Sequence, residues 1–338
     1  MTITLQDVAD AAGVSRSTAS RALSGSTAIS AQTRTAVRSA ADQIGYRVNR
    51  MASALRSNNS HLIGLVLNNL INASFHTIAE VVQRRANDEG YQVILTITGA
   101  DPKRERELLD TLGDHHVDGI VVIGTGTSAS TTNRLFAAGT AIVNVIRAPT
   151  ESAAPTVLAA DRDGAYEAVR YLLSIGHRRI AYIGGPAGTN SGDERYAGYQ
   201  SALADHNVAV DPRLVERGPF DPQFGKQAAN SVLDRCPDAT ALFAANHEAA
   251  FGLLPALVAR QVRVPQDLSL ICYEDIPWFT AWQPPITVVD NGARELADLA
   301  MDLLLQQMNG RESIAPRRGR TYRVGAALVQ RASCRSVQ

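Results

Sequence analysis

From residue 61 onward, short apolar runs alternate with stretches whose apolar residues recur every three or four positions. Runs at 62–67, 91–97, 117–123 and 141–146 read as buried strands, and the periodic stretches between them, about 75–89 and one after Pro102, read as amphipathic helices. The alternation then restarts. Helices are predicted at 163–176, about 195–207, 222–234 and 247–260, with strands at 179–184, 214–217, 239–244 and 268–273. Strands separated by helices imply parallel βαβ units with right-handed crossovers. Two such series in tandem imply two α/β lobes whose strand carboxyl ends face a shared cleft. A closing helix at 292–308 and a strand at 322–324 are too small to make a third domain.

The first 45 residues follow another pattern. Leu5, Val8, Ala9 and Ala12 form one helical stripe, with Thr4 and Asp7 at capping-box spacing. Gly13 suits the left-handed end of a helix, Val14 plugs the corner and Ser15 caps the next helix. In that second helix Ala19, Ala22 and Leu23 share one face, while Arg16, Ser17, Ser20 and Arg21 share the other. A helix that packs on one side and presents arginine and hydroxyl groups on the other suits the major groove of DNA. This is a helix-turn-helix pattern, although any small helical hairpin can carry a capped glycine turn. A third helix opens at Ser30, packs through Val37, Ala40, Ala41 and Ile44, and closes at Gly45. Residues 46–60 form a linker with a short helical core at 50–56, too short to persist alone in water and expected to form when paired with a partner chain on DNA.

These residues resemble the headpiece of the lac repressor (LacI/GalR) family of transcription regulators. The resemblance rests on Asp7-Val8-Ala9, Ala12-Gly13-Val14-Ser15, Thr18, Ser20-Arg21 and Leu23, then on Gly45-Tyr46, Asn49, Ala52 and Leu55 of the hinge. It continues through Gly176-His177-Arg178-Arg179, Gly184-Gly185-Pro186, Arg195 with Gly198-Tyr199, Ala245-Asn246, Pro265 with Asp267-Leu268-Ser269, and Pro285-Ile286-Thr287-Val288, covering nearly the whole chain. It implies that Arg16, Ser17 and Arg21 read bases and that Leu55 is a minor-groove wedge. Thr4, Ser15, Ser20, Asn49 and Ala52 complete the expected DNA-contact set. It also implies a small-molecule effector held by Arg195, Asn246 and Glu274, with Phe220 as a stacking wall and Phe75, Ser191 and Asn144 nearby. For Phe220 and Phe75 a place in the core is an equal reading. The family usually has valine where Ala19 and Ala22 stand, so an under-filled headpiece core is expected. Where it commonly has Gly-Tyr-Asp and Asn-Asp, this chain has Cys272-Tyr273-Glu274 and Asn246-His247-Glu248, which points away from a common hexose.

Composition changes the picture little. Formal net charge is zero, yet residues 1–60 hold seven arginines against three aspartates, so positive charge gathers where phosphates would be met. Cys236, Cys272 and Cys334 are far apart and suit a reducing compartment rather than a disulfide framework or zinc site. The segment 124–129 fits a lax dinucleotide fingerprint, but Asn144 stands where the ribose-binding acid belongs, and a plain strand-to-helix turn is the better reading. Trp278 and Trp282 could cover the cleft or pack at a subunit contact.

The expected fold class is a small all-α helix-turn-helix headpiece (1–45), a hinge helix and linker (46–60), and a two-lobed core (61–338) resembling periplasmic binding proteins. The first lobe is placed at about 61–160 and 290–320, the second at about 161–289 and 321–338. The expected function is a cytoplasmic, homodimeric, sequence-specific DNA-binding regulator, a repressor rather than an enzyme. Its expected partners are a roughly palindromic double-stranded operator and a carbohydrate-like effector, with no cofactor, metal or membrane. The alternative is a soluble binding protein or cleft enzyme with a vestigial headpiece.

Overall fold

The computed structural model describes residues 3–23, 26, 28–46, 59–147, 149–310 and 319–337. They fall into two compact units, one ending at Ser60 and one beginning at His61. In the first, α1 (Leu5–Ala11), α2 (Arg16–Leu23) and α3 (Ala31–Ile44) enclose a core of Val8, Ala9, Ala19, Ala22, Val37 and Ala41. The capping box forms: the Thr4 amide donates to Asp7 Oδ2 at 2.7 Å and the Asp7 amide to Thr4 Oγ1 at 3.4 Å. Ser15 Oγ accepts from the Thr18 amide at 3.1 Å, and Gly13 takes φ 64° at the turn. The fully buried residues are alanines and valines, and Leu5, Val14, Leu23, Ile29, Ile44 and Tyr46 pack around them from the rim.

The second unit holds two six-stranded sheets. Its first lobe contains β1 (Leu62–Leu67), α4 (Ala73–Asp88), β2 (Gln92–Ile97), α5 (Pro102–Asp114), β3 (Gly119–Ile123), α6 (Ala129–Ala137), β4 (Ala141–Val145) and β5 (Thr156–Ala159). The second lobe follows with α7 (Asp161–Ser174), β6 (Ile180–Gly184), α8 (Asn190–Asp205), β7 (Val215–Arg217), α9 (Pro222–Arg235), β8 (Ala241–Ala244), α10 (His247–Ala259), β9 (Ser269–Tyr273), α11 (Pro277–Ala281) and β10 (Thr287–Asp290). The chain then returns through α12 (Ala293–Met308) and β11 (Thr321–Val324) before β12 (Ala327–Val329). Strand order is β11-β5-β4-β3-β1-β2 in one sheet and β12-β10-β9-β8-β6-β7 in the other. Every pairing is parallel except β10 with β12.

Both sheets are covered on two faces, so their strands are apolar throughout and divide their side chains by a period of two. Ile63, Leu65 and Leu67 of β1 enter the core beneath α4 and α12, whereas Val66 enters the one beneath α5. Gly64 leaves room on that second face: a Cβ there would lie 2.7 Å from Leu112. In the other lobe Ala181 and Ile183 of β6 point toward α9 and α10, and Ile180 and Tyr182 toward α7 and α8.

Two details differ from the pattern-based reading. Residues 156–159, not predicted as a strand, form β5. Residues 321–324, assigned from sequence to the second lobe, instead pair in parallel with β5 in the first sheet. The outer edge of β5 would otherwise stand unpaired, and Tyr322 and Val324 pack on the first-lobe core. The third crossing between lobes is therefore at Gly325-Ala326.

The α9–α10 crossing is close because both helices carry glycine there. A Cβ on Gly252 would sit 1.6 Å from the Pro222 carbonyl oxygen, and one on Gly225 1.9 Å from that of Ala249. Gly252→Ala must push the helices apart and is expected to cost about 2 kcal/mol, read as a lower urea midpoint with an unchanged m-value.

Candidate functional site

In the headpiece, the outer edge of α2 carries the side chains singled out for DNA. Arg16, Ser17 and Arg21 are exposed and Ser20 is half-buried, while Ala19 and Ala22 are fully buried on the opposite face. Ser15 and Thr4 are exposed but occupied: Ser15 Oγ lies 2.9 Å from Ser17 Oγ, and Thr4 Oγ1 donates to Asp7 Oδ2 at 2.9 Å. Their first role is to cap helices, which fixes where the reading edge starts. Asn49, Ala52 and Leu55 lie outside the described residues.

In the core, a cavity of about 310 Å³ opens between the lobes beyond the carboxyl ends of both sheets. The first lobe lines it with the segments after β1, β2 and β4, the second with those after β6, β7, β8 and β9. Parallel sheets leave their strand-end loops free of sheet hydrogen bonds there, and the loops supply the polar groups. Six of the seven residues carried over by resemblance meet in this cavity: Phe75, Ser191, Arg195, Phe220, Asn246 and Glu274.

The seventh, Asn144, does not line it. It is fully buried within β4, its amide donating to Ser152 Oγ at 2.9 Å, where it ties down the turn before β5. The cavity wall at that strand end is Ile146 and Arg147 instead. Phe75 belongs to both readings, buried in the first-lobe core with an edge on the cavity. Phe220 is half-buried and lies under the Arg147 guanidinium, 5.9 Å from its ring centre. Neither tryptophan lines the cavity; Trp278 is exposed and Trp282 packs on the second-lobe core.

The cavity floor is a buried ionic network. Arg195 is 4 % exposed; its Nε donates to Asp161 Oδ1 at 2.8 Å and its Nη1 to the Ala245 carbonyl at 2.8 Å, while its plane covers the Tyr273 ring at 3.7 Å. Burial alone would favour losing its proton, but Asp161, Tyr273 and Glu274 hold the charge and raise its pKa. Glu274 accepts from Ser74 Oγ at 2.9 Å, lies 2.7 Å from His247 Nδ1 and 3.9 Å from Arg195 Nη2. Burial pushes its carboxyl up, yet His247, Arg195 and Ser74 outweigh that and hold it below the usual range. The same contact raises the imidazole of His247 against its own burial.

Sequence reasoning missed the first-lobe half of this network. Asn72 Nδ2 donates to Glu248 Oε1 at 2.7 Å, the Ala73 amide to His247 Nε2 at 3.4 Å, and Asn291 Nδ2 to Ser74 Oγ at 2.9 Å. The first turn of α4 thus touches the second lobe through polar groups. Asn72 is also the helix cap, through Oδ1 to the Phe75 amide. An asparagine cap following a strand end was a readable signal; its second bond was not. Asp161 carried no such signal, because the strand that ends just before it was not predicted. The loop at 124–129 holds an anion of the chain's own: Glu105 Oε2 accepts from the Thr125 amide at 2.5 Å, and Glu105 also binds Ser128. A dinucleotide phosphate has no place in that loop.

Residues 4–49 match the bacterial regulatory proteins of the lacI family, and residues 169–334 match a periplasmic binding protein-like domain. The transcriptional regulator DegA of Bacillus subtilis (strain 168) is 31% identical over 299 residues, 88% of each chain. The chain belongs to the LacI family. The transcriptional repressor PurR of Klebsiella pneumoniae (strain 342) is 30% identical over 98% of this chain and 96% of its own. Among solved structures, the lac repressor dimer bound to operator and the anti-inducer ONPF superposes with a TM-score of 0.85 at 25% identity, covering 99% of this chain and 100% of that one. A complex of the regulator CelR with cellobiose gives 0.73 at 29% identity, covering 98% and 99%. The LacI-family chain is a DNA-binding transcriptional regulator with a helix-turn-helix headpiece and a ligand-binding-type core. Among the described residues no helix is long and apolar enough to cross a membrane.

The His247–Glu274 contact should show in the pH dependence of stability. An imidazole pKa raised in the folded state stabilises fully below its unfolded value and loses that contribution as pH rises through the folded value. Glu274, held low, loses its share only as pH falls through its folded value. The urea midpoint of the wild type should therefore decline from about pH 6.5 upward relative to that of His247→Gln, whose profile lacks this component; parallel profiles would contradict the pairing.

Proposed function

We propose that this LacI-family regulator is a cytoplasmic homodimeric repressor, acting by binding alone, whose hold on a roughly twofold-symmetric operator is set by a small polar, carbohydrate-like effector in the core cleft. The observation that carries this reading is the composition of the cavity, which draws its lining from both lobes while direct hydrogen bonds already join those lobes at its edge. A ligand in such a place contacts both lobes and favours whichever arrangement it binds better. Relatives point the same way: a lac repressor structure carries operator and an anti-inducer, and the CelR structure carries cellobiose. Arg16, Ser17, Ser20 and Arg21 are the proposed base-reading set, with Thr4 and Ser15 toward the phosphates and Asn49, Ala52 and Leu55 in the hinge.

The test is to capture sheared DNA from the source organism on the purified protein across salt concentrations and sequence what remains. Retention of a few symmetric sites, with half-sites about one helical turn apart, and their release or tightening by mono- or disaccharides, is expected. Uniform, salt-labile retention of all sequences would contradict an operator-specific regulator.

Arg16→Ala should weaken binding to the recovered site by roughly 1–3 kcal/mol and relax preference at one base position. The readout is fluorescence anisotropy on the site and on single-base variants. An equal loss on random DNA would assign Arg16 to phosphate contact.

A further inference from the structure

The cleft contains two arginines in contrasting states. Arg195 is paired with Asp161, donates to the Ala245 carbonyl and stacks on the Tyr273 ring. Arg147, on the first-lobe wall, has no carboxylate within 4 Å among the described residues, and its buried Nε–H meets no acceptor. Burial lowers its pKa, and the charges of Glu248 and Glu105 offset that only in part, so its charge is held there at a cost in solvation. Its guanidinium lies over Phe220 of the second lobe, 5.9 Å from the ring centre. From the second lobe the amino end of the sixteen-residue α8 opens on the same cavity through Thr189 and Ser191, with no side-chain cap on its amides. The two acids of the lining are engaged: Glu274 by His247 and Ser74, Glu248 by Asn72.

We infer that the effector is an acidic polyol, a sugar phosphate or sugar acid, whose anionic group is received by the guanidinium of Arg147. This deepens the reading of the cleft as the effector site and rests on it. A planar fork with an unused Nε–H is suited to bidentate pairing with a phosphate or carboxylate. The hydroxyls of such a ligand would donate to Glu248, whose carboxylate faces the same space. A neutral hexose would leave Arg147 half-buried and without a bidentate anionic partner. Isolating this cation is therefore a specificity device: it penalises neutral sugars and rewards charged ones.

The experiment uses inorganic phosphate as the anion probe on the full-length protein, with ionic strength held constant by chloride, and follows the thermal midpoint of wild type and Arg147→Gln. The expected result is a saturable rise in wild type, with apparent affinity at least about tenfold weaker in Arg147→Gln; the unliganded variant should melt no lower than wild type, having shed an unmatched charge. A second arm compares glucose, gluconate and glucose 6-phosphate by calorimetry, which separates phosphate from carboxylate as the source of the anion. No response of wild type to phosphate, or an equal response in Arg147→Gln, overturns the assignment; the equal response would place the phosphate on the basic headpiece or elsewhere. Binding of glucose alike by wild type and variant, with phosphate inert, overturns the anionic effector and leaves the cleft reading standing.

Discussion

The core depends on one buried guanidinium. Arg195 projects from α8 to the floor of the cleft and is 4 % exposed. Such a charge is tolerable only if its partners are in place, and removing a partner from a buried pair typically costs about 3–5 kcal/mol. Its partners come from three other places in the fold: Asp161 at the start of α7, the carbonyl after β8 and the ring at the end of β9. Asp161 is also the first helical residue after the chain leaves the first sheet, so the pair fixes where that crossing ends. The strand-end loops of the second lobe are held in one arrangement by a requirement for charge satisfaction, and the cavity above them inherits its shape.

The first lobe meets this network differently. Its contribution is the amino-terminal turn of α4, which offers an amide, a hydroxyl and a carboxamide to Glu274, His247 and Glu248. Polar contacts between groups that can also bond water or ligand contribute modestly to net stability, whereas apolar interlocking would resist separation over its whole area. The lobes are joined at the cavity edge by bonds that a ligand can exchange for its own. Ser74 is central to this exchange, since it donates to Glu274 while accepting from Asn291 on a segment that crosses between the lobes. A ligand that draws Glu274 or Glu248 toward itself perturbs the joint directly, without a relay through packed side chains.

Much of this was legible in the sequence because burial imposes periods. Two-face burial made the strands of both sheets continuous apolar runs, and helices announced themselves by their stripes and caps. The four-residue β5 gave no comparable signal. The pairing of residues 321–324 depended on which sheet edge lay vacant, a property of the assembled lobe. In the cavity the same limit appears at single-residue scale. Asn144 and Arg147 are three positions apart at one strand end, and resemblance favoured the first. Period-two alternation and the end of β4 decide instead that Asn144 turns inward to Ser152 while Arg147 reaches the cleft. Glu248 and His247 stood out as departures from the usual motif, but a departure does not name its partner across the cleft.

The two functional surfaces differ in how they relate to stability, and this governs how each can vary. On α2 the packing duty falls on Ala19, Ala22 and Leu23, so Arg16, Ser17 and Arg21 sit on the exposed face and can be exchanged without opening the small core beneath. Base preference can drift there at little cost to folding. In the cleft Arg195 and Glu274 line the ligand space and also carry the ionic network with His247 behind them, so changing them to suit a new ligand strains the lobe that displays them. Arg147 and Phe220 are the exceptions: they line the cavity at its partly solvated edge and belong to no buried ion pair among the described residues. Variation in ligand class is physically cheapest at those two positions, since neither is tied into the ionic network of the cavity floor.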